Sequence, residues 1–264
     1  MPKPMLTTNN VNKLNILITR PEKKAQQLAL SLQQQGMLCV NQPLFDYQPL
    51  DNSQKCEALL TQVDLVIFVS VAAVEFAHAN YPANNWQYRH ILAVGKATQN
   101  ALKQLGILDV ISPEQENSEG LLKLSLLETS LCDQKITIVR GNGGREHLAE
   151  TLANRGAEVN YLESYQRVWR IFPKDISKQW YEQQINCIVV TSNAILEKLV
   201  QLMRITAPSD INDITSYWLK QCVWLVVSKR IANTAVSLGI TQVVTCAGAS
   251  DKQIIAALKS LPSL

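Results

Sequence analysis

The chain has 264 residues, a length that suits two domains of ordinary size better than one. Apolar residues make up 47% and charged residues 18%, which is a typical globular balance. The formal net charge is only +3 and no block of Lys or Arg occurs, which argues against a nucleic-acid-binding protein but still suits an anionic small molecule as ligand.

The cysteines and histidines argue against disulfides and metal sites. The six cysteines form no CxxC pair and lie mostly in apolar runs, as is typical of free thiols in a reducing cytosol. The three histidines are scattered without metal-ligand spacing, so we expect no metal. The first residues are polar, and no apolar run approaches the roughly 20 residues of a membrane span. We therefore expect a cytoplasmic protein with no membrane segment.

Six short apolar runs are predicted strands, and each precedes a segment with helical periodicity. The first such segment places its apolar residues at Ala25, Leu28, Ala29 and Leu32. Continuous apolar strands that alternate with helices predict parallel sheets covered on both faces. The predicted strands are Asn15–Thr19, Asp64–Ser70, Ile91–Val94, Lys135–Val139, Asn186–Thr191 and Trp224–Val227.

The chain also contains an internal repeat. NILITR ends at Arg20 and ITIVR ends at Arg140, and each leads into a helical segment. A glycine follows each arginine at the same distance, at Gly36 and Gly156, where a left-handed helix C-cap favours glycine. The unit of strand, turn, helix and next strand therefore recurs in register.

Two further pairs extend the repeat. Ser70 and Ser192 each stand where a strand hands over to a helix, and each can cap that helix or help to hold an anion. The segments that begin at Gly95 and Ser228 also match, and each is followed by a Ser-acid dipeptide that opens a last helix, at Ser118 in the first case. We infer two similar halves, each with at least three βα units, rather than a short-repeat solenoid.

Two extended segments, residues 43–50 and 161–172, occupy equivalent positions after the first unit of each half. Both are rich in aromatic and branched residues and are predicted strands. If they pair antiparallel, the N-terminal unit is completed by the C-terminal third of the chain. The expected division is then domain 1 at 1–42 and 171–264, domain 2 at 48–162, and connecting strands at 43–47 and 163–170.

The strongest local motif is the glycine-rich turn Arg140–Glu146, at the junction of a strand and a helix. Glycines let a ligand approach the backbone N–H groups closely, and arginines offer forked donors to carboxylates. The turn therefore predicts an oxyanion receptor, made of Arg140, Gly141, Asn142, Gly143, Gly144 and Arg145. It is not a P-loop, and a tight turn with a solvated arginine is the alternative.

Other candidates lie at predicted carboxyl ends of strands, where open α/β sheets bind ligands. Arg20 faces either this edge or solvent, and Ser70 and Ser192 are either ligand contacts or simple caps. Tyr165, in the second connecting segment, either packs in the sheet or acts as a general acid. No Ser-His-Asp arrangement, paired-carboxylate motif or nucleophile elbow is visible, so any chemistry must depend on positioning and hydrogen bonding.

The sequence resembles bacterial uroporphyrinogen-III synthases. The resemblance runs in order from about residue 14 to residue 260. It rests on Thr19-Arg20-Pro21, FVSVAAVEF, AVGKAT, the Ser118-Glu119-Gly120 turn, the Arg140–Glu146 turn with LAETLANRGAEV, Tyr165-Gln166-Arg167 and VVSKRIA.

This resemblance implies an α/β fold of two similar parallel-sheet domains joined by a two-stranded antiparallel ladder, with the first domain discontinuous. It implies cyclisation of hydroxymethylbilane to uroporphyrinogen III, with ring D inverted and water lost, and no cofactor or metal. Tyr165 matches the family's tyrosine and is the candidate for assisting hydroxyl departure. The implied substrate-binding residues are Arg20, Ser70, Ala72, Gly95, Thr98, Ser118, Arg140, Gly141, Asn142, Gly143, Gly144, Arg145, Ser192, Ser228 and Arg230.

Two turns depart from the family pattern: Ala72 stands where many members carry a polar residue, and Ser228-Lys229-Arg230 stands where some relatives have Gly-x-Thr. We expect these turns to act through backbone contacts. The expected molecule is a monomer that binds no nucleic acid, and a transient handover of substrate from hydroxymethylbilane synthase stays open.

Two other functions compete with the synthase. A two-domain organic-anion sensor would use the same architecture, but the chain has no spare length for an output module. A nucleotide-binding, flavodoxin-like enzyme would need a phosphate loop with an acidic ribose partner, and the sequence shows none.

Overall fold

The computed structural model describes residues 14–143, 146–204 and 211–261. The strands, in chain order, are β1 (Asn15–Ile18), β2 (Leu38–Asn41), β3 (Phe45–Pro49), β4 (Val63–Phe68), β5 (Tyr88–Ala93), β6 (Val110–Ile111), β7 (Lys135–Gly141), β8 (Glu158–Trp169), β9 (Cys187–Val190), β10 (Val223–Val226) and β11 (Val243–Thr245). The helices are α1 (Glu22–Gln33), α2 (Ser53–Leu60), α3 (Val71–Asn80), α4 (Lys96–Gln104), α5 (Ser118–Leu122), α6 (Ser125–Glu128), α7 (His147–Asn154), α8 (Ile176–Glu182), α9 (Asn193–Arg204), α10 (Ile211–Lys220), α11 (Lys229–Ser237) and α12 (Asp251–Lys259), with a 3₁₀ turn at Ala83–Asn85.

The chain divides into two compact units. Unit 1 consists of the described residues of Met1–Asp46 and Trp169–Leu264, and unit 2 is the continuous stretch Tyr47–Val168. The N-terminal unit is therefore completed by the C-terminal part of the chain, which confirms the predicted discontinuous domain.

Unit 1 contains a five-stranded parallel sheet in the order β11-β10-β9-β1-β2. All four residues of β9 and of β10 are buried, as expected for strands covered on both faces. On one face, alternate strand residues pack with the apolar sides of α1 and α12, including Leu28, Leu32, Ile254 and Leu258. Burying a leucine of this kind contributes roughly 1.5–3 kcal/mol.

Unit 2 contains a six-stranded sheet in the order β3-β8-β7-β4-β5-β6. Its last five strands in this order, β8, β7, β4, β5 and β6, run parallel. Because side chains alternate along a strand, β4 contributes to two cores. Val66 and Phe68 pack with α2, α3 and α4, while Leu65 and Ile67 pack with α5, α6 and α7. The helices therefore cover both faces, as the continuous apolar strands predict.

The two connecting segments form the pair β3 and β8. The Leu50 N–H donates to the Ser164 carbonyl, and the Arg170 N–H donates to the Leu44 carbonyl. Residue numbers rise on one strand as they fall on the other, so the pairing is antiparallel, as predicted. The chain passes between the units within β3 and near the end of β8.

The internal repeat is visible in the sheets. In unit 1, β1 lies between β9 and β2; in unit 2, β7 lies between β4 and β8. Each is followed by a helix that ends at a glycine with positive φ, Gly36 at +71° and Gly156 at +99°. The six predicted strands and both left-handed C-caps are therefore confirmed.

One detail of the predicted helices was wrong. The segment after Ser118 forms two short helices, α5 and α6, rather than one. The residue that caps α5 is Asn117, whose side-chain oxygen accepts a hydrogen bond from the Gly120 N–H at 2.7 Å. Asparagine is as good an N-cap as serine, and it stands one residue earlier.

Across the described ranges, no helix is long and apolar enough to cross a bilayer.

Candidate functional site

Unit 2 brings several predicted site residues together at one edge of its sheet. Ser70 follows β4, Gly95 follows β5, Gly141 ends β7 and Tyr165 lies in β8. Because β8, β7, β4 and β5 are consecutive in this sheet, these positions are neighbours at its carboxyl end. A cavity of about 950 Å³ lies elsewhere, where β5 begins, and none of the predicted residues lines it.

Tyr165 is the centre of this arrangement. Its side chain is buried, with only 6% of the residue exposed, and its hydroxyl lies 3.2 Å from the Ser70 hydroxyl. Its ring stacks on Phe76 at 5.5 Å and meets Tyr47 edge-on at 4.8 Å. Burial raises the pKa of Tyr47, and Tyr165 adds to that increase. The phenol is thus held by three aromatic and hydroxyl contacts, which fix its direction.

Ser70 has two roles in this structure. Its oxygen accepts a hydrogen bond from the Ala73 N–H at 3.0 Å, so it caps α3 as predicted. A hydroxyl has two lone pairs and one proton, so the same Ser70 hydroxyl can also form a hydrogen bond with the Tyr165 hydroxyl. Ala72, in the first turn of α3, is buried and offers no polar side chain.

Gly141 makes room for the tyrosine ring. The pairing of β7 with β8 shifts between Arg140 and Gly141, so that Gly141 lies opposite Tyr165. A Cβ atom on Gly141 would lie 2.6 Å from two carbons of the Tyr165 ring, closer than real contacts allow. This glycine is therefore required by an internal neighbour, in addition to any role toward a ligand.

The next two residues of the glycine turn donate their N–H groups within the protein. The Asn142 N–H donates to the Tyr165 carbonyl at 2.8 Å, and the Gly143 N–H donates to a Glu163 carboxylate oxygen at 3.1 Å. Gly143 has a φ of +68°, the left-handed region that favours glycine. The predicted residues Gly144 and Arg145 lie outside the described part of the chain.

Arg140 is turned into the protein. Its side chain is 11% exposed, Nη2 lies 3.2 Å from a Glu163 oxygen, and Cζ lies 3.5 Å from the centre of the Tyr161 ring. Nε and Nη1 are buried and have no hydrogen-bond partner within the described residues. Burial raises the pKa of Tyr161, which the arginine charge opposes. In this conformation Arg140 is an internal cation rather than an exposed one.

The remaining candidates of unit 2 form two helix starts. Gly95 precedes α4 with extended backbone, and a Cβ there would collide with the Glu116 carboxyl group. Thr98 is buried within α4, and Ser118 is the first residue of α5.

In unit 1 the candidates range from buried through half-buried to exposed. Arg20 is 6% exposed, pairs with Asp251 and donates to the Ala249 carbonyl. The hydroxyls of Ser192 and Ser228 accept hydrogen bonds from backbone N–H groups at the starts of α9 and α11. Arg230, in the first turn of α11, is exposed.

Cations at the helix starts are a shared feature of the two units. α4 begins with the exposed Lys96, and α11 begins with the exposed Lys229 and Arg230. Neither helix has an acidic residue in its first turn. Since a helix N-terminus favours negative charge, cations there predict that an anion binds. Among the described residues, no cluster of three or more His, Cys, Asp or Glu could hold a metal.

Glu163 and Asp251 are the residues that sequence reasoning missed. Their partners Arg140 and Arg20 lie 23 and 231 residues away along the chain, and no local pattern joins such pairs. The register of β8 beside β7 would have paired Glu163 with Arg140.

Comparison with known proteins gives consistent results. The family model described as uroporphyrinogen-III synthase HemD matches residues 26–256. The uroporphyrinogen-III synthase of Salmonella typhimurium is 34% identical over 254 residues, covering 93% of this chain and all of that protein. The enzyme of that name from Escherichia coli is 30% identical, with the same coverage.

Two solved structures are similar in fold. A mutant uroporphyrinogen III synthase from Thermus thermophilus has a TM-score of 0.61 at 15% identity, covering 94% of this chain and all of that one. The uroporphyrinogen-III synthetase of Helicobacter pylori has a TM-score of 0.57 at 11% identity, with the same coverage. At such identity these structures show the fold alone.

Proposed function

Because this chain belongs to the uroporphyrinogen-III synthase family, we propose that it cyclises hydroxymethylbilane to uroporphyrinogen III, with inversion of ring D and loss of water. Its activity is that of a uroporphyrinogen-III synthase, a hydro-lyase of tetrapyrrole biosynthesis. The observation that carries this conclusion is the 34% identity over 93% of the chain to a synthase that it matches from end to end.

The reaction is a contest between two ring closures. Loss of the terminal hydroxyl gives an azafulvene cation, and the substituted carbon of ring D then attacks it to give a spiro intermediate. Fragmentation and re-closure invert that ring, whereas uncatalysed closure leaves it uninverted. The enzyme's task is to hold the bilane so that the spiro closure is faster. Every step is redox-neutral and water is the only product lost, so we infer that no cofactor takes part.

We propose Tyr165 as the group that assists departure of the hydroxyl. Its phenol lies 3.2 Å from the Ser70 hydroxyl, at the carboxyl edge of the sheet, and aromatic contacts fix its ring. A phenol that donates a proton toward the leaving oxygen makes water the leaving group. Ser70 can hydrogen-bond to the resulting phenolate, because its oxygen accepts from the Ala73 N–H and leaves its own proton free to donate. The proton that ring D loses when it re-closes and becomes aromatic again restores the phenol.

The substrate's carboxylates need cationic and N–H donors. We propose that the starts of α3, α4, α5, α9 and α11 supply them, through backbone N–H groups and the exposed Arg230. The sequence-predicted residues at these starts are Ser70, Ala72, Gly95, Thr98, Ser118, Ser192, Ser228 and Arg230. Arg20 and Arg140 already pair with carboxylates of the protein, so we assign them an indirect role.

We further propose a cytoplasmic monomer that receives its substrate by transient handover from hydroxymethylbilane synthase. The six cysteines are all free, which suits a reducing compartment. A handover would shorten the time in which the bilane closes spontaneously.

The test of the function is a product assay. The purified protein is incubated with freshly generated hydroxymethylbilane, the product is oxidised, and the porphyrin isomers are separated by chromatography. We expect mainly isomer III, against isomer I in the reaction without enzyme. Isomer I alone, at the spontaneous rate, would contradict the proposal and favour an anion-binding protein.

The role of Tyr165 predicts a graded loss. Tyr165→Phe keeps the ring and its contacts but removes the proton, so we expect kcat for isomer III to fall about tenfold to a thousandfold, since a general acid contributes about 10² to 10⁴. Tyr88→Phe, at the opposite end of the same sheet, is the matched control and should retain wild-type kcat. Equal activity of the two variants would exclude an acid role for Tyr165.

A further inference from the structure

Glu163 holds two groups of the site with one oxygen. It lies on β8 opposite Arg140 of β7, two residues before Tyr165. Its Oε1 accepts a hydrogen bond from Arg140 Nη2 at 3.2 Å and from the Gly143 N–H at 3.1 Å. Its own carbonyl accepts from the side-chain amide of Asn52 at 2.7 Å. The carboxylate is thus fixed at both its backbone and its side chain.

The arginine depends on this carboxylate. The Arg140 side chain is 11% exposed, and Nε and Nη1 have no hydrogen-bond partner within the described residues. A buried cation is costly unless it is paired, and Glu163 is the acidic partner recorded for it in the described structure. The Glu163 side chain is itself 33% exposed, so the arginine is the more deeply buried member of the ion pair.

The glycine turn and Tyr165 are held by the same short stretch of β8. The Tyr165 carbonyl accepts from the Asn142 N–H, while the Glu163 side chain accepts from the Gly143 N–H. Between them, the Ser164 hydroxyl donates to the carbonyls of Ala73, at 3.3 Å, and Arg140, at 3.4 Å. Ala73 lies in the helix that Ser70 caps. Glu163 therefore fixes the turn on one side of Tyr165 and, through it, the surroundings of the phenol.

We propose that Glu163 is a positioning residue for the synthase reaction. It touches no reacting atom; it orders the turn at 141–143 and the Arg140 side chain, so that the Tyr165 phenol keeps its direction toward Ser70. This inference rests on the proposed function in assigning the proton transfer to Tyr165. The alternative is that Glu163 occupies an anion position that a substrate carboxylate takes over on binding.

The experiment uses the full-length chain with Glu163→Ala and Glu163→Gln, and with Glu158→Ala as the matched control. Glu158 is an exposed glutamate at the other end of the same strand, and its carboxylate accepts a hydrogen bond from the Asn160 side-chain amide at 3.3 Å. Two quantities are measured: amide hydrogen exchange at Gly143, which needs no substrate, and kcat and KM for isomer III.

For Glu163→Ala we expect exchange at Gly143 to be at least about tenfold faster and kcat to fall about tenfold to a hundredfold, with KM within about threefold. Glutamine keeps an oxygen at the Oε1 position, so Glu163→Gln should restore most of the protection and most of kcat. Glu158→Ala should match the wild type in both measurements. If Glu163→Ala does not fold, Glu163→Asp retains the charge but retracts it by one methylene, and should show the same two losses.

Three results overturn the proposal. Faster exchange at Gly143 with unchanged kcat would make Glu163 purely structural. A lower KM in Glu163→Ala would show that the carboxylate occupies a substrate position. Unchanged exchange would mean that Glu163 does not order the turn. A wild-type protein that makes no isomer III would instead contradict the proposed function, whereas the exchange result would still report whether Glu163 holds the turn.

Discussion

At the scale of single residues, the geometry of the site depends on an absent side chain. Gly141 has no positive φ, and its lack of a Cβ atom is what allows Tyr165 to pack against β7. The same tyrosine is bonded to Ser70 and stacked on Phe76. One methyl group added at Gly141 would therefore disturb the phenol without changing any polar group.

We expect Gly141→Ala to destabilise the protein by about 1–3 kcal/mol, the usual cost of overpacking, and to lower kcat for isomer III. Urea unfolding of Gly141→Ala, Tyr165→Ser and the double variant measures the coupling between the two sites. With the ring removed, the alanine should cost much less than it does in the wild type. Strictly additive losses would show that the added Cβ meets something other than Tyr165.

Residue roles were predicted only where the partner is close along the chain. Ser70 and Ser192 were predicted as caps or ligand contacts, and the cap could be predicted because the N–H groups that they accept from lie three residues on. Gly141 was assigned to a ligand, because nothing in the local sequence identifies Tyr165 as the neighbour that needs the space. Arg140 was predicted to face a ligand for the same reason, since Glu163 reaches it only through strand pairing.

At the scale of secondary-structure elements, an ion-pair network of one arginine and two carboxylates joins the start of α1, the strand β3 and the residue after β8. Arg170 donates from Nε and Nη2 to both carboxylate oxygens of Asp46, at 2.8 and 2.7 Å, and from Nη2 to Glu22 at 3.0 Å. The hydrogen bonds from Arg170 lower the pKa of Asp46 below its ordinary value, although burial opposes this.

A lowered pKa in the folded state means that this stabilisation is present above the unfolded-state pKa, about 3.9, and is lost as pH falls through the folded-state pKa. The Asp46 side chain is 46% exposed, so screening limits its contribution to about 1 kcal/mol or less. We expect the wild type to exceed Asp46→Asn in free energy of unfolding near pH 6, and the difference to vanish as pH falls toward about 2.

The control for this prediction is Asp51→Asn. Asp51 is exposed and forms no ion pair among the described residues. Its replacement should therefore leave the loss of unfolding free energy at low pH the same as in the wild type. Urea denaturation at each pH gives the free energies. A gap between wild type and Asp46→Asn that is constant with pH would show that the hydrogen bonds matter and the charge of Asp46 does not.

Elements were predicted well where burial is continuous and poorly where it is not. β9 and β10 are wholly buried, and their apolar runs identified them from the sequence. β6 has two residues, one of them exposed, and its sequence carries no strand pattern. The division of one predicted helix into α5 and α6 has the same cause, because helices of five and four residues show too few turns for a periodicity to be read.

At the scale of the whole molecule, the repeat explains the discontinuous domain. Both units place a strand with an arginine at or just beyond its carboxyl end, β1 or β7, beside a strand that is followed by a serine, β9 or β4. In unit 2 these strands lie within one continuous stretch, residues 63–141, but in unit 1 they come from the two separate segments of the chain that form this unit. The sequence could predict this arrangement because equivalent segments must occupy equivalent places in their sheets.

Thiol reactivity tests whether both cores are closed in solution. Cys132 is exposed, whereas burial raises the pKa of Cys187 to about 12 and that of Cys56 to about 11. Since the thiolate is the reactive form, one thiol per chain should react rapidly with a disulfide reagent at pH 8, with Cys39 slower.

Cys132→Ser should abolish the rapid phase of the reaction. Unfolding in guanidinium should make all the remaining thiols accessible to the reagent. Three or more rapid thiols in the native protein would mean that a core opens on the timescale of the reagent.

The interrupted course of unit 1 has a consequence for synthesis on the ribosome. β1, α1 and β2 are made first, but β1 pairs with β9, which begins only at Cys187. Unit 2 is complete when Val168 has left the exit tunnel, so it can fold while the N-terminal segment still lacks its neighbours. The part of the chain that is translated first is therefore among the last to reach its final fold, and until then Leu28 and Leu32 are open to a chaperone.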